Sequence, residues 1–229
     1  MILISHQRSG SEWFLRGLID QRYNGWEIFG DLENLTIDHE KFKNISFDAR
    51  LAMLKAMPNG NAHKIHISQL TKICLGKWPP IDPKIHQNAP SLVKHLASRN
   101  DLYLLRRRNI RETMISFMVS KYNKFNFHGS PNRLTEPFTI PYHDLIDWYR
   151  SFTSEFEWAE KAFKYKERFW YEDLLDGSQV PTTVRWSGSR SGLVKRNSTQ
   201  YTHLIQNFDE VQNWMDDLSM PGNLEIGGA

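Results

Sequence analysis

Met1–Ile19 reads MILISHQRSGSEWFLRGLI, and this stretch decides the fold. Ile2–Ile4 is a short, wholly apolar run, the pattern of a strand buried on both faces. A polar turn, HQRSGSEW, follows it. Trp13, Phe14, Leu15, Leu18 and Ile19 then share one helical face, which predicts a helix over Ser11–Tyr23. A strand that feeds a small-residue turn and a helix aims unpaired N–H groups and the positive end of the helix dipole at the turn, where an anion is stabilised. Gly10 lets the backbone come close, Ser9 and Ser11 bring hydroxyls, and Arg8 brings a fixed positive charge. The stretch has no GxxxxGK[ST] ending and so lacks the lysine and the metal-binding hydroxyl of a Walker loop. On these residues alone, a plain helix cap and a phosphate site are equally good readings.

The rest of the chain continues the alternation. Helical patterns are expected at Asp48–Met57, Ser91–Ala97, Asn109–Tyr122, Tyr142–Phe163 and Tyr201–Leu218, and strands at His63–Ser68, Asp101–Arg106 and Arg168–Tyr171. Asn109 with Glu112 three residues later resembles a capping box. Gly76–Pro90, with four prolines, Lys121–Pro141 and Asp176–Asn197 read as loops, the second as a lid. No internal repeat or linker interrupts the 229 residues. The expectation is one α/β domain over residues 1–229, a mainly parallel central sheet flanked by helices in three layers, with a flexible Gly-rich tail from about residue 220.

Composition narrows the function. A hydrophobic fraction of 40% with 13% aromatics supports a packed core rather than disorder. Against 29 basic residues stand 26 acidic ones, a net charge of +3 that disfavours a nucleic-acid coat but allows a local basic pocket for a small polyanion. One cysteine, Cys74, excludes an intrachain disulfide and fits a reducing compartment. No run reaches the ~18 apolar residues of a membrane span. The first core strand begins at residue 2 and leaves no room for a targeting segment, so a cytoplasmic protein without membrane association is expected.

Two further stretches bear charge where strands end. In LYLLRRRNIRETMISF, Arg108 ends a strand and Ser116 follows eight residues later in the next helix. Three consecutive arginines there are more often a solvated rim than a site. FWYEDLL, residues 169–175, is a strand followed by an acidic first helical turn, ordinary capping by Glu172 and Asp173 when read alone.

In order and spacing, however, RSGSEW, Arg108 to Ser116, and Tyr171-Glu172-Asp173-Leu174 together resemble the sulfotransferases that use 3′-phosphoadenosine 5′-phosphosulfate (PAPS). The resemblance implies a P-loop-NTPase-like architecture and a donor bound without metal, leaving 3′-phosphoadenosine 5′-phosphate (PAP) as product. It implies that Arg8 stabilises the leaving phosphate, that Ser9, Gly10, Ser11 and Glu12 line the 5′-phosphate, and that Trp13 stacks on adenine with Tyr171 near the base. Arg108 and Ser116 would hold the 3′-phosphate. Lys195 and Arg196, in LVKRNS, resemble the basic loop that closes over it. Gln7 stands where the family has proline, and Glu12 where a hydroxyl is usual. A carboxylate aimed at a phosphate is repulsive, so Glu12 is expected to turn outward.

The acceptor hydroxyl must lose a proton. His63-Lys64-Ile65-His66 resembles the strand end at which many cytosolic members carry a lysine and their catalytic histidine, which makes His66 the first candidate base, with Lys64 beside it. Imidazole suits this task near neutrality, although any of the nine histidines could equally serve structure. Glu33 or Asp31, shortly after the first helix, is the runner-up base. The acceptor is expected to be a small-molecule or glycan-type alcohol. Two other readings stand beside sulfotransfer: a kinase-like phosphoryl transferase, which the missing Walker lysine disfavours, and a non-catalytic PAP- or nucleotide-binding module.

Overall fold

The computed structural model describes residues 1–27, 61–75, 94–96, 98, 101–123, 136–188 and 202–222. These form two compact units, Met1–Arg106 with Ser154–Gly192 and Arg107–Thr153 with Leu193–Ala229. The sequence expectation was one domain over residues 1–229.

The first unit is a parallel sheet of five strands, β1 (Ile2–Ser5), β2 (Arg22–Glu27), β3 (Asn61–His66), β4 (Leu102–Arg106) and β5 (Glu167–Trp170), in the order β2-β3-β1-β4-β5. Strand alternation splits the core in two. Ile2 and Ile4 join Ile65, Leu102 and Leu104 on one face, where Ile67 and Leu70 of α2 (Ile67–Leu75) pack. Ala159, near the end of the long helix α4 (Tyr142–Ala162), and Phe163 cover the same face. Leu3, Tyr103, Leu105 and Phe169 form the other face, under Phe14 and Leu15 of α1 (Ser11–Arg16) and Leu174 of α5 (Tyr171–Asp176). Helices on both faces of a parallel sheet explain why the central strands β1 and β4 are largely apolar.

The second unit centres on Met114, Ile115, Met118 and Val119 of α3 (Ile110–Asn123), which pack with Leu145 of α4 and with Val211 and Met215 of α6 (Phe208–Asp217). The N-terminus of α3 is fully satisfied. Asn109 Oδ1 accepts the N–H of Glu112, its carbonyl accepts that of Thr113, and Pro221 O accepts those of Ile110 and Arg111. Among the described residues no helix is long and apolar enough to cross a membrane.

The structure adds a strand, β2, and a helix, α2, that the sequence expectation lacked, and several boundaries differ from it. The helix expected to reach Tyr23 stops at Arg16. Gly17 is pressed against the Trp186 indole, where a Cβ would lie 2.2 Å from Nε1, and Leu18 bridges to Trp186, so the chain leaves helical geometry and enters β2. β3 ends at His66 rather than Ser68, because α2 starts there without a loop. The last helix starts at Phe208, not Tyr201: Ile205 bridges to Phe138, and the Asn207 carboxamide binds both the N–H and the C=O of Ile140. The tail expected to be flexible is anchored at its start, since Met220 is buried and Gly222 (φ 103) lies so close to Asn109 that a Cβ would fall 2.4 Å from Oδ1. The helix expected at Asp48–Met57 lies outside the described residues.

Candidate functional site

β1 and β3 are neighbours, and their helices leave toward opposite faces: α1 packs with Leu3, α2 with Ile2 and Ile4. The carboxyl end of such a strand pair is the switch point at which open α/β sheets bind ligands. The candidate site lies at this place, entirely within the first unit.

Ser5 and His66 are the last rung of the β1–β3 ladder. The register also pairs Leu3 with Lys64, so Lys64, His66 and Ser5 share the face of Leu3, the side on which α1 departs. All three side chains are buried. His6 belongs to the opposite face, its ring stacked on Phe156 at 5.9 Å.

The turn after β1 is tightly determined. Arg8 (φ 61) and Gly10 (φ 81) both adopt left-handed backbone on either side of Ser9. Ser9 is buried, and its hydroxyl donates to His6 O at 2.7 Å, so its proton closes the turn instead of facing a ligand. Gly10 is required twice, by its φ and by the Tyr171 ring, which a Cβ would meet at 2.3 Å. Gly10 O accepts the N–H of Phe14, and no side chain caps α1. Glu12 is directed along the helix to Arg16, with carboxylate and guanidinium 2.6 Å apart, an i,i+4 pair. Trp13 is half-buried, edge-on to Trp186 at 4.8 Å and to Tyr171 at 5.5 Å.

The three arginines after β4 have three different fates. In the first unit, Arg106 bonds Glu160 at 2.6 Å and lies 4.2 Å over Trp170. In the second, Arg107 pairs with Glu112 at 2.6 Å, and Arg108 is exposed just before α3. Ser116 is half-buried two turns into α3. Because the first N–H groups of α3 are occupied by Pro221 and Asn109, an anion here would rely on side chains alone.

The fold therefore brings together Arg8, Ser9, Gly10, Ser11, Trp13 and Tyr171, with Lys64 and His66 on the adjoining strand end. Arg108 and Ser116 belong to the other unit, and Asp31, Glu33, Lys195 and Arg196 lie outside the described residues. No protein-family model matches the chain, and no curated protein does. Two residues escaped the sequence reading. Ser5 lay just past the strand expected at Ile2–Ile4, whereas β1 includes it. Gln69, at the third position of α2, accepts the His66 N–H on Oε1 at 3.0 Å. That contact is the returning half of a capping box, and the spacing of Gln three residues after the last strand residue is its only signal.

Away from this edge, a groove of about 600 Å³ opens beyond the far end of α1, lined by residues 18–21 and 181–186. It adjoins the starts of β2 and β5, not the ligand-binding ends of the strands. Among the described residues no group of three His, Cys, Asp or Glu side chains could hold a metal ion.

Proposed function

We propose that the chain is a sulfotransferase that moves the sulfuryl group of PAPS to a hydroxyl, or an amine, of a small-molecule or glycan-type acceptor, on a P-loop-NTPase-like form of the three-layer fold. The observation that carries this reading is the Ser5–His66 rung, by which the Arg8 turn and a buried imidazole occupy adjacent strand ends at the switch point. The order of RSGSEW, Arg108 to Ser116 and YEDL along the chain supports PAPS as the donor.

The donor, when bound, supplies an S–O bond whose cleavage leaves negative charge on the bridging phosphate oxygen. Arg8 and the N–H groups of the turn stabilise that charge, which favours the transition state over the ground state. His66 takes the acceptor's proton as the acceptor oxygen bonds to sulfur, and Lys64 adds positive charge on the same sheet face. Such a transfer depends on positioning and electrostatics more than on covalent catalysis. Glu33 and Asp31 remain the alternative bases within this proposal.

A panel of hydroxylated acceptors incubated with PAPS labelled in sulfur tests it. Label should move to at least one alcohol class, and to none with His66→Ala. Absence of transfer to every acceptor, together with absence of PAP binding, contradicts the proposal.

A further inference from the structure

α1 has six residues, well short of the ~12–15 at which an isolated helix begins to hold its shape in water. A helix that short leaves most of its N–H and C=O groups without helical partners, and Gly10 gives it no side-chain cap. Its support comes from outside, and at both ends that support leads back to β5. At the first turn stands Tyr171, the residue after β5, with its ring edge-on to Trp13 at 5.5 Å and pressed against Gly10.

At the other end runs a strap, the irregular segment of residues 179–187. Its start is tied to β5. The Gln179 carboxamide accepts the Trp170 N–H at 2.9 Å and donates to Arg168 O at 2.8 Å, as a neighbouring strand would. The single carboxylate of Glu167 accepts the N–H and the hydroxyl of both Thr182 and Thr183, the Thr183 hydroxyl at 2.6 Å. The far end of the strap is tied to α1. Trp186 Nε1 donates to Phe14 O at 3.0 Å, and its indole lies 4.8 Å from Trp13. Ser187 donates both its N–H, at 2.8 Å, and its hydroxyl, at 3.0 Å, to Gly17 O. From this we infer that Trp186 is a positioning residue for the turn at residues 8–11: through the strap, β5 fixes how α1 lies on the sheet, and the turn that leads into α1 follows. Trp186 acts through Phe14 and Trp13, not on a ligand. The consequence for PAP rests on the proposed reaction, whereas the strap stands on its own hydrogen bonds.

Trp186→Ala removes the bond to Phe14 O and the ring against Trp13, whereas Trp186→Phe keeps a ring there. Tyr165→Phe, which removes a hydrogen bond to Ala159 O on the opposite sheet face, is the control for stability alone. On the full chain, amide exchange of α1 is compared with that of β1, and PAP affinity is read by titration calorimetry well below the melting temperature. Trp186→Ala should speed exchange in α1 about tenfold more than in β1 and weaken PAP about tenfold. Trp186→Phe should restore most of that affinity. Tyr165→Phe should lower the melting temperature with PAP affinity unchanged. If Trp186→Ala fails to fold, Glu167→Gln, which loosens the strap at its other end, is read in its place. Exchange in α1 that rises no more than in β1 overturns the inference, and so does an equal loss of PAP affinity in Tyr165→Phe. The PAP arm separates the two proposals. Selectively faster α1 exchange in a chain that never binds PAP keeps the strap and removes the nucleotide reading, and PAP binding indifferent to Trp186 and Glu167 does the reverse.

Discussion

Ser5 and His66 face one another across the final rung of the β1–β3 ladder, with both side chains buried on the side where α1 leaves the sheet. This relationship ties a candidate base to a candidate anion turn through rigid backbone rather than through a loop. His66→Ala should therefore lower transfer by roughly 10²–10⁴-fold while leaving PAP affinity unchanged. Steady-state kinetics and a binding isotherm on the same preparation check it. Activity that survives His66→Ala and disappears with Glu33→Ala assigns the base to the carboxylate.

Arg8 sits in left-handed backbone at φ 61, which disfavours any side chain by roughly 1–2 kcal/mol. Arg8→Gly removes that backbone strain and should weaken PAP about tenfold through loss of the charge. Denaturant unfolding and titration calorimetry read the two effects separately. A variant that loses stability and keeps its affinity would make Arg8 a structural residue.

Gly10 is constrained by its own φ of 81 and by the Tyr171 ring. Gly10→Ala should cost about 2–3 kcal/mol from overpacking and left-handed strain together. Chemical denaturation is the check. A much smaller loss would mean that the ring moves aside easily.

Acid should weaken both units. Burial pushes the Glu167 carboxyl up, but hydrogen bonds from the hydroxyls and N–H groups of Thr183 and Thr182 outweigh it and bring it below its ordinary 4.5. At Asp144, burial is likewise outweighed by the Lys121 ammonium and the Tyr122 hydroxyl, which leaves it below 3.8. Both are depressed in the folded state, so their stabilisation is complete above the ordinary carboxyl range and is lost as pH falls through the folded values. Melting temperature should decline below about pH 4.5. Glu167→Gln should lower stability by ~2 kcal/mol at pH 7 and flatten that decline.

Much of this was legible in the sequence. Ile2–Ile4 announces a doubly buried strand, and the Asn109–Glu112 spacing marks the start of α3 to within a residue, because these signals are local. What was not legible depends on distant partners. Trp13 to Ile19 has a continuous helical face, yet Trp186, far along the chain, closes on Gly17 and ends the helix at Arg16. The run Arg106-Arg107-Arg108 looks uniform, but Glu160, 54 residues away, and Glu112 divide it into two structural ties and one exposed charge. Gln69 was missed because its capping partner is a histidine, so only half of the usual pattern is written in the sequence.

The most direct test of the central claim is the thermal shift of the full chain with PAP set against ATP and Mg²⁺. A ligand at about 100 times its Kd that binds only the folded state stabilises it by ~2.7 kcal/mol, roughly 5–10 °C for a chain of this size. That shift is expected with PAP, without metal, and little with ATP and Mg²⁺. Equal shifts with both, or a response to PAP that requires Mg²⁺, would contradict it.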